Sequence, residues 1–146
     1  MTSLNIYLTF DGNCEEVFNF YQSAFGTEFQ HVSTFGEMPP QEGMPPIPEE
    51  HKDRIMHISL PISGNSVLMG SDTGGEWSQE VTQGNNFSIS INTATTEEAD
   101  KLFNALSQGG KVTMPMDNTF WDSYFGMFTD KFGINWMVSV ELTGKN

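Results

Sequence analysis

The chain has 146 residues, 19 of them acidic and 6 basic, and its formal net charge is −13. So acidic a chain is poorly suited to nucleic acid or to an anionic membrane surface, because both are contacted through clusters of lysine and arginine. Its single cysteine, Cys14, allows neither an internal disulfide nor a cysteine-based zinc site, which predicts a reducing, cytoplasmic location. We also expect no membrane span and no signal peptide, since no long apolar stretch or basic leader occurs.

The first half of the chain predicts the element order β-α-β-β-β. Residues 4–10 alternate between apolar and polar side chains, as a strand with one buried face does. Asn13 with Glu16 has the spacing of a helix capping box, and Gly26 suits the end of that helix. Three more strands are predicted, at 27–35, 55–62 and 66–71. The proline-rich insertion at 36–53 is predicted to lack regular structure, and is either a passive surface segment or a flap over a site.

The second half repeats this order after a glycine-rich link at 72–85. Its predicted helix begins at Thr95, with Glu98 completing a capping box, and ends at Gly109. Its strands are predicted at 86–93, 111–116, 124–129 and 134–140. Gly133 is expected to turn the last hairpin with a positive φ. Two copies of one unit predict a single domain, 1–146, made of two tandem modules at about 1–75 and 82–146.

Polar or mixed side chains recur on the predicted sheet faces that point away from the helices. They are Asn5, Tyr7, His57, Ser59, Asn86, Ser88 and Ser90. If both sheets curl around these faces, the fold is an α+β, cupped, barrel-like mixed sheet around a cavity, with the helices outside. The alternative is that these faces meet solvent, as antiparallel sheets allow. In the last strand, Trp136, Val138 and Val140 are predicted to face the helix, and Met137 and Ser139 the cavity.

Some of these side chains could carry chemistry. His57 is the candidate general base, because the pKa of a free imidazole lies near neutrality; the alternative is a hydrogen bond inside the barrel. Tyr7, Trp121 and Phe125 could stack on a planar ligand or simply fill the core. Cys14 is expected to be a packing residue.

With these features, the sequence resembles members of the glyoxalase/bleomycin-resistance/dioxygenase (vicinal-oxygen-chelate) superfamily, and its PhnB-like branch in particular. The carrying residues are Tyr7 to Asn13 (YLTFDGN), Glu15, Glu16, Phe20, Tyr21, His57, Leu68 to Asp72 (LMGSD), Trp121, Gly126, Asp130, Phe132, Gly133 and Trp136. One departure is Asp122, where such sequences usually have glycine. The resemblance implies paired βαβββ modules and a homodimer. Such sequences are often labelled 3-demethylubiquinone methyltransferase-like, yet this chain lacks the G-x-G-x-x-G of Rossmann-like methyltransferases.

The resemblance also bears on metal binding. Metal-dependent members take one His or Glu from each of four strands, the first, fourth, fifth and eighth. Motif matching places these positions near Asn5 (or Ile6), Met69, Asn86 and Met137. Amides and thioethers do not suit Zn, Ni, Mn or Fe(II), so we expect no metal and no cofactor. The spacing of the three histidines, His31, His51 and His57, indicates no other metal site.

The sequence therefore predicts a metal-free, PhnB/glyoxalase-like protein that binds a small molecule of unknown identity. The alternative is a metal-dependent lyase or isomerase of glyoxalase type, or a dioxygenase-type enzyme. A mainly structural dimer is a third possibility. The candidate ligand-binding residues are Asn5, Tyr7, Ser59, Met69, Asn86, Ser88, Trp121, Phe125 and Met137, with His57 as the candidate catalytic residue.

Overall fold

A computed structural model describes residues 2–37, 39, 42–43, 47–74 and 80–142. It confirms the predicted α+β class and the βαβββ order of both halves. The chain divides after Thr82 into two compact units, within the link predicted at 72–85. Each unit contains one four-stranded mixed sheet and one α-helix.

The first strand of unit 1 lies at one edge of its sheet and pairs with the last strand of the unit. Its elements are β1 (Ile6–Phe10), α1 (Cys14–Phe25), β2 (His31–Thr34), β3 (Ile55–Ser63) and β4 (Ser66–Asp72). The strand order is β1-β4-β3-β2, with β1 parallel to β4 and the other pairs antiparallel. The sheet of this unit is therefore open, with β1 and β2 at its two edges.

Unit 2 repeats this topology. Its elements are β5 (Ile89–Asn92), α2 (Thr96–Ser107), β6 (Lys111–Asn118), β7 (Ser123–Thr129) and β8 (Asn135–Glu141). The strand order is β5-β8-β7-β6, again with a single parallel pair, β5 with β8. The internal repeat in the sequence thus corresponds to a repeat of strand order and strand direction.

Each helix packs on one face of its own sheet, and the apolar core of each unit lies between them. The buried apolar side chains of unit 1 include Leu8, Val17, Phe18, Tyr21, Ile58, Leu60 and Leu68. Those of unit 2 include Ile89, Leu102, Phe103, Leu106, Phe128, Trp136 and Val138. The predicted alternation of buried and more exposed side chains along the last strand is confirmed, whereas the cavity stays a prediction. Trp136, Val138 and Val140 are buried, whereas Met137 and Ser139 are partly exposed.

Two helix ends, at Gly26 and Thr95, and the hairpin turn at Gly133 agree with the sequence prediction, and the start of α1 differs in part. Gly26 and Gly133 have positive φ values of 72° and 91°, and Thr95 Oγ1 accepts a hydrogen bond from the N–H of Glu98 at 3.2 Å. Asn13 does stand at the N-cap position of α1, as predicted, but its side chain makes no capping hydrogen bond. Asp72 binds the start of α1 instead, because its carboxylate reaches the first N–H groups from the end of β4.

Three of the four edge strands, β1, β2 and β5, are shorter than predicted, whereas β6 is longer. Asn5 precedes β1, while Asn86 and Ser88 precede β5. Because β5 pairs only with β8, and Ile89 already lies opposite Trp136 near the start of β8, residues 86–88 have almost no partner to pair with. β2 is likewise limited to its pairing with β3.

The insertion at 36–53 has more regular structure than predicted, because short 3₁₀ helices form at Phe35–Glu37 and Glu49–His51. Its positions 38, 40–41 and 44–46 lie outside the described residues, as do positions 75–79 of the link. Within the part of the chain that is described, neither helix is long and apolar enough to cross a membrane.

Candidate functional site

Each sheet has one face that does not carry the helix, and we call this the helix-free face. In unit 1, a Cβ on Gly70 would point into the Phe18 ring of α1, so the residues next to Gly70 along β4 point the other way. The strand register then places one side chain per strand in a row on the helix-free face: Tyr7, Met69, Ser59 and His31.

A polar and aromatic cluster forms on this face around His57. The His57 ring lies 5.3 Å from the His31 ring and 6.0 Å from the Tyr7 ring, measured between centroids. His31 Nε2 lies 3.2 Å from Ser33 Oγ, and the Ser59 hydroxyl donates to Gln30 Oε1 at 3.3 Å. His57 and Tyr7 remain partly exposed. The face can therefore offer hydrogen-bonding groups and ring surfaces to a ligand.

Sequence reasoning missed His31 as a member of this cluster. His31 and His57 are separated by the proline-rich insertion, so no local spacing connects them. The signal lies in the register between β2 and β3, which pairs His31 with Ser59 and Ser33 with His57. Side chains on the same face of neighbouring strands at diagonal positions are close enough for rings to meet.

The helix-free face of unit 2 has a different chemistry. Its corresponding row contains Ser90 followed by three methionines, one on each of the other strands: Met137, Met127 and Met114. The opposite face carries Phe128, whose ring contacts Phe103 of α2 at 5.1 Å. Thioethers are flexible and polarizable, so this row can adapt to apolar or aromatic ligands.

Aromatic side chains extend this face towards the turn between β6 and β7. The rings of Trp121 and Phe125 meet at 6.0 Å and 64°, and Phe120 packs against Trp121 at 4.9 Å. Trp121 is 54% exposed. Phe125 lies opposite Ser139, whose hydroxyl donates to Asn92 Oδ1 on β5. Partly exposed rings beside a row of thioethers are well suited to contact a planar molecule.

The structure thus separates the candidate residues into two groups. Seven of them lie on the helix-free faces or beside them: Tyr7, His57, Ser59, Met69, Trp121, Phe125 and Met137. Asn5 and Asn86 are exposed and precede their strands, and Ser88 directly precedes β5. The extent of β1 and β5 decides this difference, and strand ends are the part of an element that sequence patterns define least.

The positions that hold metal in metal-dependent members of the superfamily are not suited to metal here. Of the positions that the resemblance implies, Met69 lies on β4 and Met137 on β8, whereas Asn5 and Asn86 precede their strands. Neither thioethers and amides, nor the row neighbours Tyr7 and Ser90, make a site for Zn, Ni, Mn or Fe(II). Across the described residues, no group of three or more His, Cys, Asp or Glu side chains is placed to hold a metal ion.

Two buried carboxylates have structural roles. Asp72 Oδ1 accepts the N–H groups of Gly12 and Cys14, both at 2.9 Å, and Asp72 Oδ2 accepts that of Ile55 at 2.9 Å. Asp130 similarly accepts two backbone N–H groups of the β7–β8 turn, and it also accepts the indole N–H of Trp136 at 2.9 Å. Both carboxylates are satisfied by the fold, so neither is a candidate general base.

Cys14 is not a candidate nucleophile. Its side chain is fully buried in α1. Burial raises the pKa of the Cys14 thiol, and the negative charges of Asp72 and Glu15 raise it further. Because the thiolate is the reactive form, the thiol is inert in the folded protein. The expectation that Cys14 is a packing residue is confirmed by this burial.

Comparison with known proteins identifies close relatives along the whole chain. A family model described as 3-demethylubiquinone-9 3-methyltransferase matches residues 2–139. Protein YjdN of Escherichia coli (strain K12) is 32% identical over 143 residues, 94% of each chain. The crystal structure of protein PA1353 from Pseudomonas aeruginosa is 40% identical, with a TM-score of 0.81, covering 97% of this chain and 98% of that one. A Bacillus cereus structure, described as a putative 3-demethylubiquinone-9 3-methyltransferase, PhnB protein, is 26% identical, with a TM-score of 0.73, covering 95% and 99%.

The same fold occurs in more distant proteins. A glyoxylase/bleomycin resistance protein/dioxygenase domain from Frankia sp. EAN1pec has a TM-score of 0.64 at 10% identity, covering 97% of this chain and 98% of that one. That likeness concerns the fold alone, and it agrees with the two βαβββ units described above. The chain therefore belongs to the PhnB-like family, whose model is described as 3-demethylubiquinone-9 3-methyltransferase, and it has the fold of glyoxalase/bleomycin-resistance/dioxygenase proteins.

Proposed function

We propose that this protein binds a small organic molecule on its helix-free faces, and that it does so without the metal site of the superfamily. The support comes from the composition of those faces. Unit 1 presents Tyr7, His57 and Ser59, and unit 2 presents Trp121 and Phe125 beside its methionine row. The polar groups of unit 1 suit a ligand with hydrogen-bonding groups, and the ring and thioether surfaces of unit 2 suit a flat apolar ligand.

The single observation that carries this proposal is the identity of the residues at the positions that the resemblance assigns to metal ligands. Near Asn5 (or Ile6), Met69, Asn86 and Met137, amides and thioethers stand in place of the imidazoles and carboxylates that a catalytic divalent metal requires. A binding protein can use these thioethers as contact surface, whereas an enzyme that relies on metal-assisted enolisation cannot use them as its ligands.

The methyltransferase description of the family does not suit the chemistry of this chain. Common Rossmann-like methyltransferases bind their cofactor at a glycine-rich turn between a strand and a helix, and no G-x-G-x-x-G occurs here. The first strand–helix connection, Asp11 to Asn13, is instead occupied by Arg54, whose guanidinium donates to Asp11 Oδ1 at 3.1 Å.

The proposal is tested by combining a ligand screen with variants on each face. The protein is screened by thermal shift against small aromatic and hydrophobic compounds, and the bound compounds are then titrated by tryptophan fluorescence. We expect Tyr7→Ala or Trp121→Ala to weaken binding by roughly tenfold, since loss of a stacked ring costs on the order of 1 kcal/mol.

The matched control is Phe87→Ala, because Phe87 is 57% exposed but lies before β5. Native mass spectrometry of the purified protein adds an independent readout of bound ligand and metal. A tightly held divalent metal in one-to-one amounts that is lost from a Met69→Ala or Met137→Ala variant would contradict the metal-free proposal. A hit whose affinity changes in neither ring variant, or changes equally in Phe87→Ala, would contradict the proposed binding surface.

A second candidate function is an enzyme in which His57 acts as the general base. The observation that favours it is the position of His57 on the helix-free face beside the Tyr7 ring, at 6.0 Å between centroids. A His57→Asn variant should then bind substrate normally and lose turnover by about 100-fold or more. Unchanged turnover in that variant would remove this candidate.

We further propose that the protein is a homodimer, as the family resemblance implies, and that it is cytoplasmic, as its single cysteine indicates. The strong negative charge favours solubility. Size-exclusion chromatography with light scattering tests the oligomeric state, and a monomer mass at micromolar concentration would contradict it.

A further inference from the structure

We propose that His31 and His57 form a two-histidine site for a divalent first-row transition metal on the helix-free face of unit 1. This site is separate from the metal position of the superfamily, because it uses β2 and β3 rather than the strands that carry Met69 and Met137. It therefore does not depend on the proposed ligand-binding function.

The distance between the two rings fits one shared metal ion. Their centroids are 5.3 Å apart and their planes are inclined by 55°. With metal–nitrogen bonds of about 2.1 Å and a tetrahedral angle between them, two imidazole centroids lie about 5 Å apart. No large rearrangement of the backbone is needed to bring the rings to that separation.

The strands hold these two side chains in place. His31 lies opposite Ser59, and His57 lies opposite Ser33, in one antiparallel pair. A cross-strand pair is fixed by the ladder hydrogen bonds, so the two histidines are preorganised and little chain entropy is lost on metal binding.

Ser33 can fix the tautomer of the neutral His31 ring. Its hydroxyl oxygen lies 3.2 Å from His31 Nε2, and the Ser33 side chain is buried. When Nε2–H donates to this oxygen, Nδ1 carries the lone pair that a metal needs. Outer partners of this kind orient the imidazoles of metal sites. Ser33 is thus a positioning residue for the site.

The chemistry of the pair selects the class of metal. Neutral imidazole suits copper, nickel and zinc, and copper(II) binds most strongly in this series. Two protein ligands leave the remaining coordination positions to water or to an added chelating molecule. The chain has three histidines, and the third, His51, lies in the 3₁₀ helix Glu49–His51, which gives a matched control.

The test is a titration of the full-length protein with copper(II), followed by calorimetry and by electron paramagnetic resonance. We expect one equivalent to bind, with nitrogen hyperfine splitting from two imidazoles. Loss of an outer partner alone can weaken metal binding by about tenfold. His31→Ala and His57→Ala remove the ligands themselves, so each should weaken binding by at least that much. Ser33→Ala should weaken binding while preserving the two-nitrogen signal.

His51→Ala controls for adventitious binding to an acidic chain, and we expect it to leave both affinity and spectrum unchanged. Unchanged binding in His31→Ala, or an equal loss in His51→Ala, would overturn the proposal. Melting of each variant without metal checks the fold. If His57→Ala unfolds at a lower temperature than the parent protein, the test rests on the His31→Ala variant alone, because the His31 side chain is exposed.

Discussion

The two units share a backbone plan and a helix-carrying face, but their helix-free faces differ. Equivalent strands follow the same order in both sheets, and each helix covers a row of buried apolar side chains. On the helix-free faces, Met69 is surrounded by Tyr7 and Ser59, whereas Met137 is surrounded by Ser90 and Met127. The helix-carrying faces are constrained by packing, so the chemistry that distinguishes this protein lies on the faces where packing leaves more freedom.

Each unit also depends on one buried carboxylate, and this dependence should produce the largest effect. Asp72 and Asp130 each accept three N–H groups. We expect Asp72→Ala and Asp130→Ala each to lower the free energy of unfolding by roughly 3 kcal/mol or more, because three donors lose their acceptor. Urea unfolding measures this change.

Asp53→Ala is the control for loss of an exposed carboxylate and should change little. A loss for only one of the two buried aspartates would show that the units do not depend on them equally.

Gly70 tests how tightly the helix-carrying face of unit 1 is packed. A Cβ at this position would lie 2.7 Å from the Phe18 ring and 2.9 Å from the Leu8 carbonyl oxygen. We expect Gly70→Ala to lower the free energy of unfolding by about 1–3 kcal/mol through overpacking. Gly64→Ala in the β3–β4 turn is the matched control, because its Cβ would meet no described atom within 4 Å. Equal stability of the two variants in urea would show that α1 can move away from its sheet.

The buried Cys14 thiol should make the stability of the protein depend on pH. Burial and the charges of Asp72 and Glu15 raise the pKa of the Cys14 thiol in the folded protein, so above the ordinary thiol pKa the unfolded chain loses its proton first. Stability should then fall as the pH rises above about 8.5, by up to about 1.4 kcal/mol per pH unit. Urea unfolding between pH 8 and 10 should show a shallower fall for Cys14→Ala. Parallel slopes would contradict the buried thiol as the cause.

The sequence predicted the regular parts of the fold because their causes are local. Helical spacing, the Thr95 cap and the turn glycines Gly26 and Gly133 all act within a few residues, and the structure bears them out. The cap on α1 was missed because Asp72 lies 58 residues from Cys14. An aspartate at the end of a strand has many possible hydrogen-bond partners. Which of them it binds depends on the strand register, which the sequence does not specify.

The candidate site was predicted in part for the same reason. Alternation along β3 correctly placed His57 and Ser59 together on one face, and the last strand was sorted correctly as well. The His31–His57 contact depends on pairing across the insertion, so it has no local signal. Asn86 fell outside β5 because Ile89 already lies opposite Trp136, near the start of its single partner β8. Asn5 precedes β1 although β4 extends beyond Leu68, the partner of Ile6. The enclosure of a cavity by both sheets stays a prediction.

Asp122 gives a smaller test, in the turn beside Trp121. It is the one non-glycine residue with a positive φ, 61°, among the described residues, at the position where the family resemblance leads us to expect glycine. A non-glycine residue in the left-handed region costs about 1–3 kcal/mol. Replacing it with glycine recovers only part of this, because glycine loses more chain entropy on folding. We expect Asp122→Gly to raise the free energy of unfolding by roughly 0.5–1 kcal/mol, measured in urea, with Asp117→Gly destabilising as the control. A loss of stability in Asp122→Gly would show that the aspartate side chain compensates for the strain.

The smallest effect on stability is expected on the helix-free faces themselves. Met69→Leu and Met137→Leu keep the side-chain volume and replace a partly exposed thioether, so each should change the free energy of unfolding by less than about 1 kcal/mol. Truncation of the buried neighbours, Leu68→Ala or Val138→Ala, should instead lower the free energy of unfolding by about 1–4 kcal/mol. If the two leucine variants are as stable as the parent protein but bind a screened ligand differently, packing and recognition are separate properties of the two faces. A large loss of stability in either leucine variant would mean that the thioethers belong to a packed core, and the mainly structural role would then replace the binding role.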